Sequence, residues 1–141
     1  MDVTHLEELS AAVEKYKANK NSFNTAELQD SRDDIGLAMY NCAPLYADVI
    51  EAVDLATYQK KKKYAEVEER LRYSKKENSM KSLTRDEITN LATIECEAEE
   101  LYLIDVNKMY KKLRLQIETA TLISNSIASR MNHVNSKALP Q

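Results

Sequence analysis

The residues best suited to nucleophilic or metal chemistry are two histidines and two cysteines, and they lie far apart in the chain. His5 and His133 are near opposite ends, and Cys42 and Cys96 have no CxxC spacing. The sequence contains no Gly-rich phosphate loop, no nucleophile motif and no HExxH. We therefore expect a non-enzymatic protein without cofactor or metal, with both cysteines reduced in a cytoplasmic setting.

Charge is divided into two consecutive blocks. Residues 60–81, the basic block, carry nine Lys/Arg and four Asp/Glu, whereas residues 86–105, the acidic block, carry seven Asp/Glu and no base. Lysine and arginine contact phosphates, and interleaved tyrosines can stack on unpaired bases. The predicted contacts to single-stranded DNA are Lys60, Lys61, Lys62, Lys63, Arg70, Arg72, Lys75 and Lys76, with stacking by Tyr64 and Tyr73.

The acidic block allows two interpretations. Its Glu95, Glu97, Glu99 and Glu100 lack the Glu-x-x-His partners of a di-metal helix bundle, so a solvated helix face is expected. That face could pair with the basic block inside an antiparallel hairpin, which would weaken both as outside binding sites. Alternatively it could receive a basic protein partner.

Composition predicts an all-α fold. The chain of 141 residues has one Gly, two Pro and 30% charged residues, too few turn formers for a sheet-based fold. No apolar run is long enough to span a membrane. The N-terminus, with Asp2, Glu7 and Glu8, does not fit a signal peptide.

The first helix and a linker are predicted before the central helices. A capping box at Thr4 and Glu7 starts a short helix over residues 5–18. Residues 19–34 lose the apolar period and predict a linker with one turn near 26–29. Pro44 is placed as a first-turn proline, beginning a helix to about Lys76 whose apolar stripe passes through the lysine run.

A second long helix follows a polar loop. Thr84 and Glu87 form another capping box, and no breaker appears for about fifty residues. Nine positions in heptad register then form a seam, which packs either in the hairpin core or against another copy. We assign oligomerisation to Tyr110, Leu113, Ile117, Ile127, Met131 and Val134.

The predicted architecture is a long antiparallel helical hairpin with a short N-terminal helix, oligomerising through the seam. Residues 1–43 hold the short helix and linker, 44–134 the hairpin for DNA binding and oligomerisation, and 135–141 a flexible tail.

This order of features resembles the recombination mediator proteins of tailed phages, the UvsY type. The similarity spans roughly residues 44–134. It includes Leu45-Tyr46, the basic segment that ends in Arg70-Leu71-Arg72-Tyr73, and the long final helix with Arg130. The family's Lys-x-Arg-Leu pattern falls on Glu68, Arg70 and Leu71, so its arginine carries over and its lysine does not.

The resemblance implies a DNA recombination and repair protein that forms a homo-oligomer on single-stranded DNA. Its partners would be the phage recombinase and the single-strand-binding protein that it helps to displace, in the cytoplasm of an infected bacterial host, with no membrane involved. Two alternatives stay open. One is a phage adaptor or inhibitor that binds a basic protein through the acidic face at residues 95–100, and the other is a structural assembly protein.

Overall fold

The computed structural model describes residues 2–74 and 81–138, which form four α-helices. They are α1 (Thr4–Asn19), α2 (Thr25–Arg72), α3 (Arg85–Glu95) and α4 (Glu97–Ala138). This confirms the predicted all-α hairpin of two long helices after a short N-terminal one. No helix in the described ranges has an apolar stretch long enough to cross a bilayer.

The start of α1 is held by a different residue from the one predicted. Asp2 Oδ1 accepts hydrogen bonds from the Thr4 backbone N–H at 2.9 Å and from the Thr4 hydroxyl at 2.6 Å. Thr4 is the first residue of α1 and not its N-cap, and the Glu7 N–H donates to the Val3 carbonyl at 3.1 Å. The expected capping box with Glu7 therefore does not form, and no side chain caps the helix at Val3. The hydrogen bonds from Thr4 lower the pKa of Asp2.

The predicted linker over residues 19–34 is wrong, because α2 already begins at Thr25 and only residues 20–24 connect it to α1. Asn24 and Glu27 cap each other: the Glu27 N–H donates to Asn24 Oδ1 at 2.8 Å, and the Asn24 N–H donates to Glu27 Oε1 at 3.3 Å. Leu28 and Ile35 then face the core and are fully buried. Their packing outweighs the polar composition of the segment.

Pro44 lies inside α2 and does not start it. A proline lacks the N–H that would bond the carbonyl four residues back, so this position costs helix stability. Buried Ala38 and Cys42 on the preceding turns, with Leu45 and Val49 following, supply packing that keeps the helix continuous. The helix ends at Arg72 rather than near Lys76.

The first compact unit comprises residues 1–48 and 111–141. Its core joins one face each of α1, the first half of α2 and the second half of α4. The fully or nearly buried members are Leu9, Val13, Tyr16, Leu28, Ile35, Ala38, Cys42, Ala120 and Ile127. Ile117 and Met131 pack against this cluster. The described part of α4 continues to Ala138, so the first four residues of the predicted tail, 135–138, are helical.

The second compact unit comprises residues 49–110. Val67 and Leu71 of α2 bury Ala92 of α3. The predicted capping box at the start of α3 is confirmed, since the Glu87 N–H donates to Thr84 Oγ1 at 3.2 Å and the Thr84 hydroxyl donates to the Glu87 carboxylate at 3.1 Å.

The predicted unbroken helix of about fifty residues is interrupted once, at Cys96, which separates α3 from α4. Cys96 has φ −96° and ψ 10°, outside the helical range. Its N–H still bonds the Ala92 carbonyl, and the Glu100 N–H bonds the Cys96 carbonyl, both at 3.0 Å. The interruption is therefore confined to one residue, and Cys96 itself is buried.

Candidate nucleic-acid interface

The four-lysine run divides into two pairs on different faces of α2, because a helix turns about 100° per residue. Lys60 forms an ion pair with Glu100 of α4, and Lys63 Nζ donates to Glu99 Oε1 at 2.8 Å. Lys61 and Lys62 are exposed and have no ion-pair partner among the residues described. Only the second pair is therefore free for an outside ligand.

Two arginines of the basic block are also paired. Arg70 Nη2 lies 2.5 Å from both carboxylate oxygens of Glu95 in α3, and Arg72 lies 3.3 Å from Glu68 within α2. The acidic block thus pairs with the basic block, which is the first of its two interpretations. Because the side chains that pair between helices are 26% to 61% exposed, solvent screens these ion pairs and each adds little to stability.

The Lys63–Glu99 pair shifts both of its groups toward the charged form. The hydrogen bond from Lys63 lowers the pKa of Glu99, and the same bond raises the pKa of Lys63. Glu99 contributes stability above its unfolded-state pKa of about 4.3, and that contribution is lost as the pH falls through its lower folded-state pKa. The contribution of Lys63 is present below its unfolded-state pKa of about 10.4, and is lost as the pH rises through its higher folded-state pKa.

We expect Glu99→Gln to reduce the loss of stability on acidification. The free energy of unfolding, measured by urea denaturation from neutral pH down to pH 3, should fall less steeply in the variant than in the wild type. Glu97→Gln is the matched control, since Glu97 is exposed and has no ion pair within the described ranges. Equal slopes for wild type and Glu99→Gln would contradict the assignment.

The two tyrosines predicted to stack on bases, Tyr64 and Tyr73, differ in exposure. Tyr64 is partly buried and packs against the Val67, Leu71 and Ala92 cluster, so less of its ring is open to a base, and its stacking role stays a prediction. Tyr73 remains open, 79% exposed, and Tyr58 is 61% exposed. The sequence analysis did not identify Tyr58 as a stacking residue. Its position three and four residues before Lys61 and Lys62 nevertheless places it on the same face of α2 as these lysines.

The predicted DNA contacts on α2 fall into a paired and an open group. Lys60, Lys63 and Arg70 are held by carboxylates of the chain itself, whereas Lys61 and Lys62 are open. Lys75 and Lys76 lie outside the described residues. We call Tyr58, Lys61 and Lys62 the outer patch.

The seam residues mainly serve the chain's own packing. Leu113 and Ile127 are buried, and Ile117 and Met131 pack on the first unit's core. Tyr110 is partly buried and Val134 exposed. Packing inside the chain therefore accounts for most of the seam, and its predicted role in contacts between copies stays a prediction.

The cysteines are poorly suited to nucleophilic chemistry. Both thiols are free and buried, and burial raises the pKa of Cys42 and of Cys96. A raised pKa disfavours the reactive thiolate. Within residues 2–74 and 81–138, no three His, Cys, Asp or Glu side chains are grouped as metal ligands.

Comparison with known proteins finds no match to this chain. The sequence matches no protein-family model, and neither a curated protein nor a solved structure is similar enough to count as a match.

Proposed function

We propose that this chain is a non-enzymatic recombination mediator that binds single-stranded DNA as a homo-oligomer and promotes recombinase loading in place of single-strand-binding protein. It would act in the cytoplasm of an infected bacterial host. The outer patch is the observation that carries the DNA-binding part. There an exposed aromatic ring stands one helical turn before two exposed, unpaired lysines.

The chemistry of the outer patch suits unpaired nucleic acid. The two ammonium groups neutralise phosphates and release condensed counterions, and the Tyr58 ring offers a face on which a base can stack whatever its sequence. Exposed Tyr73, at the end of the same helix, provides a second ring. A patch this small binds weakly by itself, so its repetition in an oligomer supplies the avidity that a mediator needs.

The alternative adaptor function has less support from the geometry. It requires the acidic face at residues 95–100 to receive a basic partner, yet Glu95, Glu99 and Glu100 already hold Arg70, Lys63 and Lys60. Oligomers that ignore DNA at every salt concentration would favour the adaptor function.

The test is fluorescence anisotropy of a labelled single-stranded oligonucleotide at about 50 and 200 mM salt. We expect Lys61→Ala/Lys62→Ala to weaken binding about tenfold at the lower salt and to reduce the slope of log K against log salt by roughly 1.4 per chain, two phosphate contacts at about 0.7 each.

Two controls make this result specific. Lys15→Ala/Lys20→Ala removes the same charge from exposed lysines of the first unit and should bind like wild type. Lys60→Ala/Lys63→Ala should have a smaller effect than the outer pair, since these lysines are already paired. Equal losses in all three variants would mean that only net charge matters and that the outer patch is not the site.

A further inference from the structure

A groove opens in the second unit where α3 meets α4. Its volume is about 540 Å³, and it is lined by Tyr64, Ile94, Cys96 and Leu101 among others. Ile94 is 67% exposed and Leu101 56% exposed. The break at Cys96 lets both side chains border one concave surface. Apolar side chains grouped in a groove mark a surface that a partner covers.

The edge of the groove carries negative charge. Glu97 and Glu100 line it. Glu100 is paired with Lys60, but Glu97 is exposed and lacks an ion-pair partner in the part of the chain that the structure describes. The best occupant is therefore an apolar helix face that carries lysine or arginine at its margin.

The chain itself carries such a face on α4 in the first unit. Leu115 and Leu122 are 64% and 70% exposed, and their separation of seven residues places them two turns apart on one side of the helix. Lys111 and Lys112 lie one turn before Leu115, are exposed, and have no ion pair among the described residues. The two leucines, together with the two lysines at their margin, are called the leucine stripe.

We propose that the groove of one copy receives the leucine stripe of a second copy. The leucines would cover Ile94 and Leu101, while the lysines approach Glu97. The two surfaces differ, so the contact is heterologous. This inference rests on the homo-oligomeric part of the proposed function. It is tested without DNA, so its failure and a failure to bind DNA are distinguishable.

A charge exchange between the two surfaces provides the test. The groove variant is Thr93→Lys/Glu97→Lys, which leaves the Lys60–Glu100 pair intact, and the stripe variant is Lys111→Glu/Lys112→Glu. Analytical ultracentrifugation at micromolar concentration should find wild-type protein associated and each variant alone weakened roughly tenfold or more. An equimolar mixture of the two variants should associate again, because each groove then meets a stripe of opposite charge.

The apolar part has a matched control. Leu115→Ser/Leu122→Ser should weaken association, whereas Leu37→Ser/Tyr40→Ser, a comparably exposed pair on α2, should not. Circular dichroism checks that helicity is kept in every variant. The proposal is overturned by a monomeric wild type, by variants that associate like wild type, or by a mixture that stays dissociated. A monomeric wild type would assign the groove to a different protein.

Discussion

Replacing Glu95, Glu99 and Glu100 together with glutamine is expected to tighten the binding of single-stranded DNA about tenfold at low salt. These three carboxylates hold Arg70, Lys63 and Lys60, and their neutralisation would free three cations for phosphates. The slope of log K against log salt should become steeper by roughly 2, since each added contact contributes about 0.7 on a single strand. Anisotropy titrations at several salt concentrations measure both changes.

The control for this prediction alters the same net charge elsewhere. Glu7→Gln/Asp30→Asn/Asp34→Asn neutralises three exposed acids of the first unit that have no ion pair in the described ranges. If the control tightens binding as much as the test variant, the gain comes from overall charge. No change in either variant would mean that Lys60, Lys63 and Arg70 do not reach the DNA.

Leu28→Ala is expected to lower the free energy of unfolding by about 2–5 kcal/mol, the usual effect of emptying a fully buried leucine site. Leu28 is 0% exposed in the core of the first unit. Leu37→Ala makes the same change on the same helix at a side chain that is 62% exposed, and should stay within about 0.5 kcal/mol of wild type. Urea denaturation compares the two.

This comparison also tests where α2 begins. Leu28 lies in the segment that the sequence predicted as a linker, and a leucine in an open linker would tolerate truncation. A neutral Leu28→Ala would therefore contradict the packing of residues 25–35 against the core.

The prediction of helices from sequence succeeded where the apolar period was strong and failed where short polar residues carried the structure. The seam on α4 was recognised because its large side chains recur every three or four positions. The start of α2 was missed because its inward face alternates Leu28 and Ile35 with small Ser31 and Ala38, which blurs the period. The Asn24–Glu27 cap was present in the sequence and would have located this start.

A capping motif acts as a cap only where its first residue takes the N-cap position. The same Thr-x-x-Glu spacing caps α3, where Thr84 is the N-cap and accepts from the Glu87 N–H. It does not cap α1, because Val3 takes the N-cap position and its carbonyl accepts from the Glu7 N–H.

From the sequence, the candidate site could be predicted only as two blocks of charged residues, without the ion pairs between them. The sequence located the basic and acidic blocks, but which lysine meets which glutamate depends on the register between α2 and α4. The rotation of α2 is also fixed by its packing on α3, at positions such as Val67 and Ala92, which only the folded chain brings together. The exposure of Tyr58 and the partial burial of Tyr64 follow from the same rotation of α2.

The division of the lysine run has a consequence for how this protein can diverge. Lys60 and Lys63 pair with α4 while Lys61 and Lys62 face solvent, so substitutions of the outer pair change the surface charge without breaking these ion pairs. Substitutions among the outer lysines are therefore tolerated structurally. The insertion of a single residue upstream within α2 would rotate the run by about 100°. Lys60 would then take the outward position of Lys61, and Lys62 the inward position of Lys63, so the segment is plastic in composition but constrained in length.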